Sequence, residues 1–217
     1  MTQAQFITPD WPDAPASIGA MATLRGGGVS TGPYDDGRGG GGLNLGLHCG
    51  DDPEAVRENR ARLQSLLPAS PGWTSQVHGI AVADSGTVTP GGPVQVADAG
   101  VSDRSGVVCA VMTADCLPVL FADLDGKVVG AAHAGWRGLA AGVLGETVAA
   151  MRARGAGEIT AWLGPAIGAQ AFEVGADVLE SFVAGARGDE EAQQVRAAFA
   201  PYPGREGKYL ADMYVLA

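Results

Sequence analysis

Histidine is scarce in this chain. Only His48, His78 and His133 occur in 217 residues, so any imidazole-based site must be assembled from these three. Cysteine is scarce too, with Cys49, Cys109 and Cys116 and no CxxC spacing. An odd number of cysteines argues against a disulfide framework and fits a reduced, cytoplasmic setting. Short-spaced zinc ribbons and thioredoxin-like dithiols are excluded, and any metal site must draw on residues distant in sequence. Cations are outnumbered, 14 Lys and Arg against 24 Asp and Glu for a net charge of −10, which argues against nucleic acid as a partner. No apolar run approaches the ~18 residues of a membrane span, and no charged-then-apolar leader opens the chain. Neither membrane association nor secretion is therefore expected. The GxxxxGK(S/T) phosphate loop is missing as well.

Glycine and hydrophobic residues are plentiful. At 46% hydrophobic, the chain can bury a sizeable core, and its length suits one domain over residues 1–217. Nine glycines lie between Gly26 and Gly42, which predicts a surface loop or a close approach to a ligand. Asp51 and Asp52 can cap a helix with Pro53 in its first turn, carrying Val56, Leu63 and Leu67 on one face up to Pro68. Residues 73–77 and 80–84 are strand-like, and residues 85–93 are rich in turn formers. Val107–Met112, Leu117–Ala122 and Lys127–Ala132 are apolar enough for buried strands. A helix is expected over Gly138–Arg154, a strand over Glu158–Leu163, and helices near 175–186 and 189–199.

Hairpin geometry points to a site. If 117–122 and 127–132 pair around a 123–126 loop, Cys116 falls opposite His133. Opposed residues share a sheet face with Cβ atoms about 4.5–5.5 Å apart, a spacing that suits two ligands of one tetrahedral metal. His78, beside Gly79 at the end of a strand-like segment, is the natural third ligand. Two His and one Cys leave a fourth position open, the layout of a catalytic zinc. The structural alternative is that Cys116 is a small buried hydrophobe and the histidines pack; Cys109, within an apolar run, is read that way. Arg137, in Ala134-Gly135-Trp136-Arg137-Gly138, is suited to hold an anion at the start of the following helix, or else ties down the turn by a salt bridge.

Several blocks resemble motifs of the YfiH-like family, formerly described as laccase-like polyphenol oxidases. They are Asn44-Leu45-Gly46-Leu47-His48 with Gly50-Asp51-Asp52-Pro53, Gln76-Val77-His78-Gly79, and Thr113-Ala114-Asp115-Cys116-Leu117-Pro118-Val119. His133–Gly138, Leu163–Gly168 and Phe172–Gly175 complete the set, in the family's order over about residues 24–215. The resemblance implies an α+β fold of two β-α-β units whose mixed sheets pack as a four-layer α/β/β/α sandwich. It implies a zinc held by His78, Cys116 and His133, and a purine nucleoside enzyme. The expected reactions are phosphorolysis of adenosine, inosine, guanosine and S-methyl-5'-thioadenosine, and deamination of adenosine. Purine nucleosides and inorganic phosphate would be its partners, and the protein would be a monomer.

Within that reading, Arg137 would hold phosphate, Asp115 would orient or carry protons beside Cys116, and Asn44 and His48 would touch substrate. Family members continue beyond this length, so either the C-terminal segment is missing here or the substrate pocket is incomplete. The rivals are a copper-dependent polyphenol oxidase, a cysteine hydrolase using Cys116 as nucleophile, and a non-enzymatic binding module. Three histidines cannot build a four-copper cluster, although a single His2Cys copper centre remains chemically open.

Overall fold

The computed structural model describes residues 5–88 and 92–217. A short ribbon of β1 (Phe6–Ile7) and β2 (Ala22–Thr23) leads into β3 (Gly26–Ser30). Next comes α1 (Pro53–Gln64), capped as expected by the Asp52 carboxylate, which accepts from the Glu54 amide. The helix ends three residues short of Leu67, and Val56 and Leu63 are its buried apolar positions.

The nine-glycine segment is the expected surface loop only in part, over the largely exposed residues 31–40. Its first part is the largely buried strand β3, and a β-carbon at Gly28 would collide with the Gly42 carbonyl and Asn59. Glycine here lets two backbone stretches and α1 approach closely. Asn59, fully buried, secures the arrangement. Its Oδ1 accepts from Val29 N, and its Nδ2 reaches Ser30 Oγ, Gly42 O and Asn44 O.

The main sheet holds β4 (Val82–Asp84), β5 (Ala99–Ser102), β6 (Leu117–Asp123), β7 (Val129–Ala134) and β8 (Ile159–Leu163), in the order β4-β5-β7-β6-β8. Strands β4 and β5 are parallel and the remaining pairs antiparallel, so the sheet is mixed. After β7 the chain forms α2 (Trp136–Ala141) and α3 (Val143–Arg152); after β8 it forms β9 (Glu173–Gly175), α4 (Ala176–Gly185) and α5 (Asp189–Ala197). Strands β10 (Phe199–Pro201) and β11 (Lys208–Ala211) join β9 in a second sheet, and α6 (Met213–Leu216) follows. The core is continuous, running from Val101, Leu117 and Val119 of the main sheet through Val143 and Met151 to Val178, Phe182 and Phe199. The expected α+β class holds, with one mixed sheet and a smaller antiparallel one.

Four expectations are corrected. The helix foreseen over 138–154 starts earlier and breaks at Gly142, whose φ of 98° closes α2 and opens α3. Leu139, Val143 and Met151 still face the core. Residues 107–112 form no strand; they touch a neighbour at a single bridge, Val108 to Pro71. The Gln76 side chain takes the place of a neighbouring strand there, accepting from Met112 N and donating to Met112 O. Residues 73–77 are likewise limited to one bridge, Ser75 to Val96. Residues 89–91 of the expected 85–93 turn lie outside the described residues.

The hairpin register is the fourth correction. Leu117 pairs with Ala134 and Pro118 with His133, so Cys116 falls in line with Gly135 instead of His133. Asp123 is the cause. It belongs to β6, and its Oδ1 accepts from the Lys127 and Val128 amides, moving the loop one residue along. The partner of each residue shifts by two, an even number, so every side chain keeps its face. Cys116 and His133 therefore still meet.

Candidate metal centre

Four residues converge at one end of the main sheet. His78 lies shortly before β4, Asp98 immediately before β5, Cys116 immediately before β6, and His133 one residue from the end of β7. Because β7 runs opposite to β5 and β6, its end lies beside their beginnings. Donor atoms of His78, Cys116 and His133 all fall within 4.8 Å of one another, and among the described residues they are the one such group of His, Cys, Asp and Glu. Cys116 Sγ is 3.7 Å from His78 Nε2, and the two imidazoles meet edge to face with centroids 4.8 Å apart. A tetrahedral ion with Zn–N near 2.1 Å and Zn–S near 2.3 Å would place its N and S donors about 3.6 Å apart. The donor set and its spacing fit such an ion.

The surroundings are shaped for the cluster. A β-carbon at Gly135 would lie 2.5 Å from His78 Cδ2 and 3.1 Å from Cys116 Sγ, so glycine leaves the volume that the two donors occupy. At Gly138 it would sit 2.7 Å from Gly79 O, because α2 packs directly on the backbone that carries His78. His78 has a left-handed φ of 61°, unusual for a residue with a side chain. His133 is buried, Cys116 half-buried and His78 exposed, so the cup opens to solvent on the His78 side.

The sequence reading missed Asp98. Fully buried, it accepts from the amides of Val77, His78 and Gly79 at 3.1, 2.8 and 2.8 Å, and its Oδ1 lies 2.8 Å from His133 Nδ1. Burial pushes its carboxyl pKa up, but these hydrogen bonds outweigh burial and hold it below the ordinary range. The available signal was an acidic residue flanked by Ala97 and Ala99 at the head of the apolar run 99–101. Burial lowers the His133 pKa, favouring the neutral imidazole a metal requires, although Asp98 opposes that shift. The Cys116 thiol is pushed up by burial first, then by the carboxylates of Asp115 and Asp98.

The other expected site residues are more dispersed. Arg137 is exposed, its guanidinium 4.3 Å above the Trp136 ring; among the described residues it closes no salt bridge across the turn. Helix α2 has only six residues, a weak source of dipole for an anion. Asp115 is exposed, and its carbonyl accepts from Ile167 N, tying the 164–168 turn to the Cys116 segment. Asn44 is engaged internally, donating to Asp51 and accepting from Gly46 N, whereas His48 is exposed on the same segment. Arg60 links that segment to Trp73 and Met112. It donates to Leu45 O, stacks on Trp73 and lies 3.9 Å from Met112 Sδ, and Met112 in turn pairs with Gln76.

The family profile described as "Multi-copper polyphenol oxidoreductase laccase" matches residues 19–217. The chain belongs to this laccase-domain, YfiH-like family. It is 50% identical over 214 residues to a protein of Pseudomonas aeruginosa named purine nucleoside phosphorylase, covering 98% of this chain and 80% of that one. The YfiH purine nucleoside phosphorylase of Escherichia coli is likewise 50% identical over 218 residues, covering 99% and 81%. A crystal structure of a Neisseria meningitidis protein superposes with a TM-score of 0.83 at 46% identity, covering 98% of this chain and 80% of that one. YlmD of Geobacillus stearothermophilus gives 0.76 at 29% identity, covering 98% and 78%. Among the described residues, no helix is long and apolar enough to cross a membrane.

Proposed function

We propose that this YfiH-like chain is a zinc-dependent purine nucleoside enzyme. It would phosphorolyse adenosine, inosine, guanosine and S-methyl-5'-thioadenosine, and deaminate adenosine, in one pocket above the cup. The observation that carries this reading is 50% identity, over nearly the whole chain, to relatives named purine nucleoside phosphorylase. The His78–Cys116–His133 cup supports it from the chemical side.

His78, Cys116 and His133 would hold the ion, whose contribution is Lewis-acid polarisation at its open position. Arg137 would orient inorganic phosphate, presenting two parallel N–H donors to its oxygens. In phosphorolysis a phosphate oxygen bonds to C1' of the ribose as the C1'–N9 bond breaks, and the purine leaves with a proton. In deamination water adds at C6 and ammonia departs. Asp115, exposed and next in sequence to Cys116, would relay the protons. His48 would contact the nucleoside, while Asn44 would fix the 44–51 segment through Asp51 and Gly46.

A second reading, copper-dependent polyphenol oxidation, follows from the wording of the family description. With three histidines in the chain and one cluster among the described residues, a single copper is the most this cup accommodates. A cysteine hydrolase is disfavoured because a nucleophilic Cys needs its thiol pKa lowered, and that of Cys116 is raised. The test is metal analysis with turnover of inosine and adenosine, with and without phosphate, beside oxygen uptake on a phenol. Cys116→Ala should abolish both nucleoside reactions. Either reaction surviving in metal-free protein would overturn the shared site, and phenol-dependent oxygen uptake with bound copper would favour the oxidase.

A further inference from the structure

We propose that Asp98 is the positioning residue of the cup, fixing both histidine ligands at once; this rests on the metal reading above. The two histidines reach the cup from different parts of the fold and need different restraints. His133 has two ring nitrogens, and only one can face the ion. Asp98 Oδ1 lies 2.8 Å from Nδ1, so Nδ1 carries the proton and donates, leaving the Nε2 lone pair for the metal. The same residue's carbonyl accepts from His133 N at 2.7 Å, so backbone and ring are held by one neighbour.

His78 has a different difficulty. Its φ of 61° is a conformation side chains disfavour, and without support the 77–79 segment would relax and withdraw the ring. Asp98 accepts hydrogen bonds from three successive amides, Val77, His78 and Gly79, which clamps that turn. Its own amide donates to Ala81 O, anchoring the clamp to the start of β4. An asparagine would keep the shape yet lose an acceptor. It could not serve the amides and the imidazole together, since one of its two terminal atoms is a donor.

The experiment is performed on the full chain. In metal-free wild type, nitrogen-15 NMR should show His133 protonated on Nδ1. Asp98→Asn should weaken Zn²⁺ binding about 10–100-fold, the scale seen when a ligand's orienting partner is lost. It should also change the intensity and position of the visible bands of the Co²⁺-substituted protein. Val101→Ala, which removes buried methyls from the strand that follows Asp98, is the control. It should lower thermal stability while leaving zinc affinity within twofold of wild type.

Zinc affinity within twofold of wild type in Asp98→Asn, with an unchanged cobalt spectrum, would overturn the positioning role. So would His133 protonated on Nε2 in the wild type, a readout that stands even if Asp98→Asn fails to fold. Wild type that binds no zinc yet has His133 protonated on Nδ1 would instead sink the metal reading and leave the tautomer assignment standing.

Discussion

Replacing Gly135 with alanine separates the metal cup from the fold that carries it. Gly135 has φ −65° and ψ 151°, angles alanine adopts without strain. The unfolded chain would lose freedom, a stabilising effect of about 0.4–1 kcal/mol. The cost arises at the side chains. The new methyl would sit 2.5 Å from His78 Cδ2, and ordinary contact begins near 3.4 Å, so the ring must move by about 0.9 Å. Metal ligands keep their distances within about 0.2 Å. A displacement several times larger, with Cys116 Sγ also crowded at 3.1 Å, should weaken zinc binding at least tenfold, or about 1.4 kcal/mol.

Without metal, His78 is exposed and free to swing outward, so stability should change by less than about 1 kcal/mol. Gly138→Ala provides the contrast. Its methyl meets backbone, Gly79 O at 2.7 Å, and should cost about 1–3 kcal/mol with or without metal. Competition against a chromophoric chelator measures the first quantity, and thermal melts in EDTA measure the second. Wild-type zinc affinity in Gly135→Ala would refute the reasoning. A melting point many degrees lower in EDTA would show that Gly135 serves packing instead.

Three other outcomes are expected. Asn59→Ala leaves Val29 N and the Gly42 and Asn44 carbonyls short of a partner, and should destabilise the protein by about 1–3 kcal/mol in urea melts. Burial pushes the Cys109 thiol up to about 11, so at pH 8 iodoacetamide followed by mass spectrometry should label exposed Cys49 and spare Cys109. The unfolded thiol ionises near pH ~8.5, so the stability tied to the neutral Cys109 thiol is full below that pH and lost as pH rises towards 11. Tyr214→Phe removes a donor to Gly164 O and an acceptor for Ala166 N, at a half-open position where water substitutes. It should cost about 0.5–1.5 kcal/mol and speed amide exchange at Ala166.

The three residues that meet in the cup were legible in the sequence because few candidates existed. Three histidines and three cysteines restrict the combinations, and the face of a strand residue survives any even error in register. A 123–126 loop is one residue out of place, because Asp123 completes β6 and accepts from the Lys127 and Val128 amides instead of opening the turn. Asp98 was not legible, since nothing local marks which isolated acid will be buried. Nor was the break at Gly142, where the apolar stripe of Leu139, Val143 and Met151 continues across two helices as if they were one. The strand inferred at 107–112 failed because a Gln side chain, not a strand, answers the backbone of Met112.

By itself, the sequence determined the available chemistry: three imidazoles and three thiols, too few histidines for a four-copper cluster, no GxxxxGK(S/T) loop, and enough apolar residues for a sizeable core. These follow from counts and spacings, which no folding alters. Tertiary structure decided which residues meet. The order β4-β5-β7-β6 brings the segments just before three strands beside the end of a fourth, because β7 runs opposite to β5 and β6. Only that crossing of distant segments places a buried carboxylate against two histidines and empties the space at Gly135. Burial, tautomer and the room left for an ion are properties of neighbours in space, and only the fold supplies them.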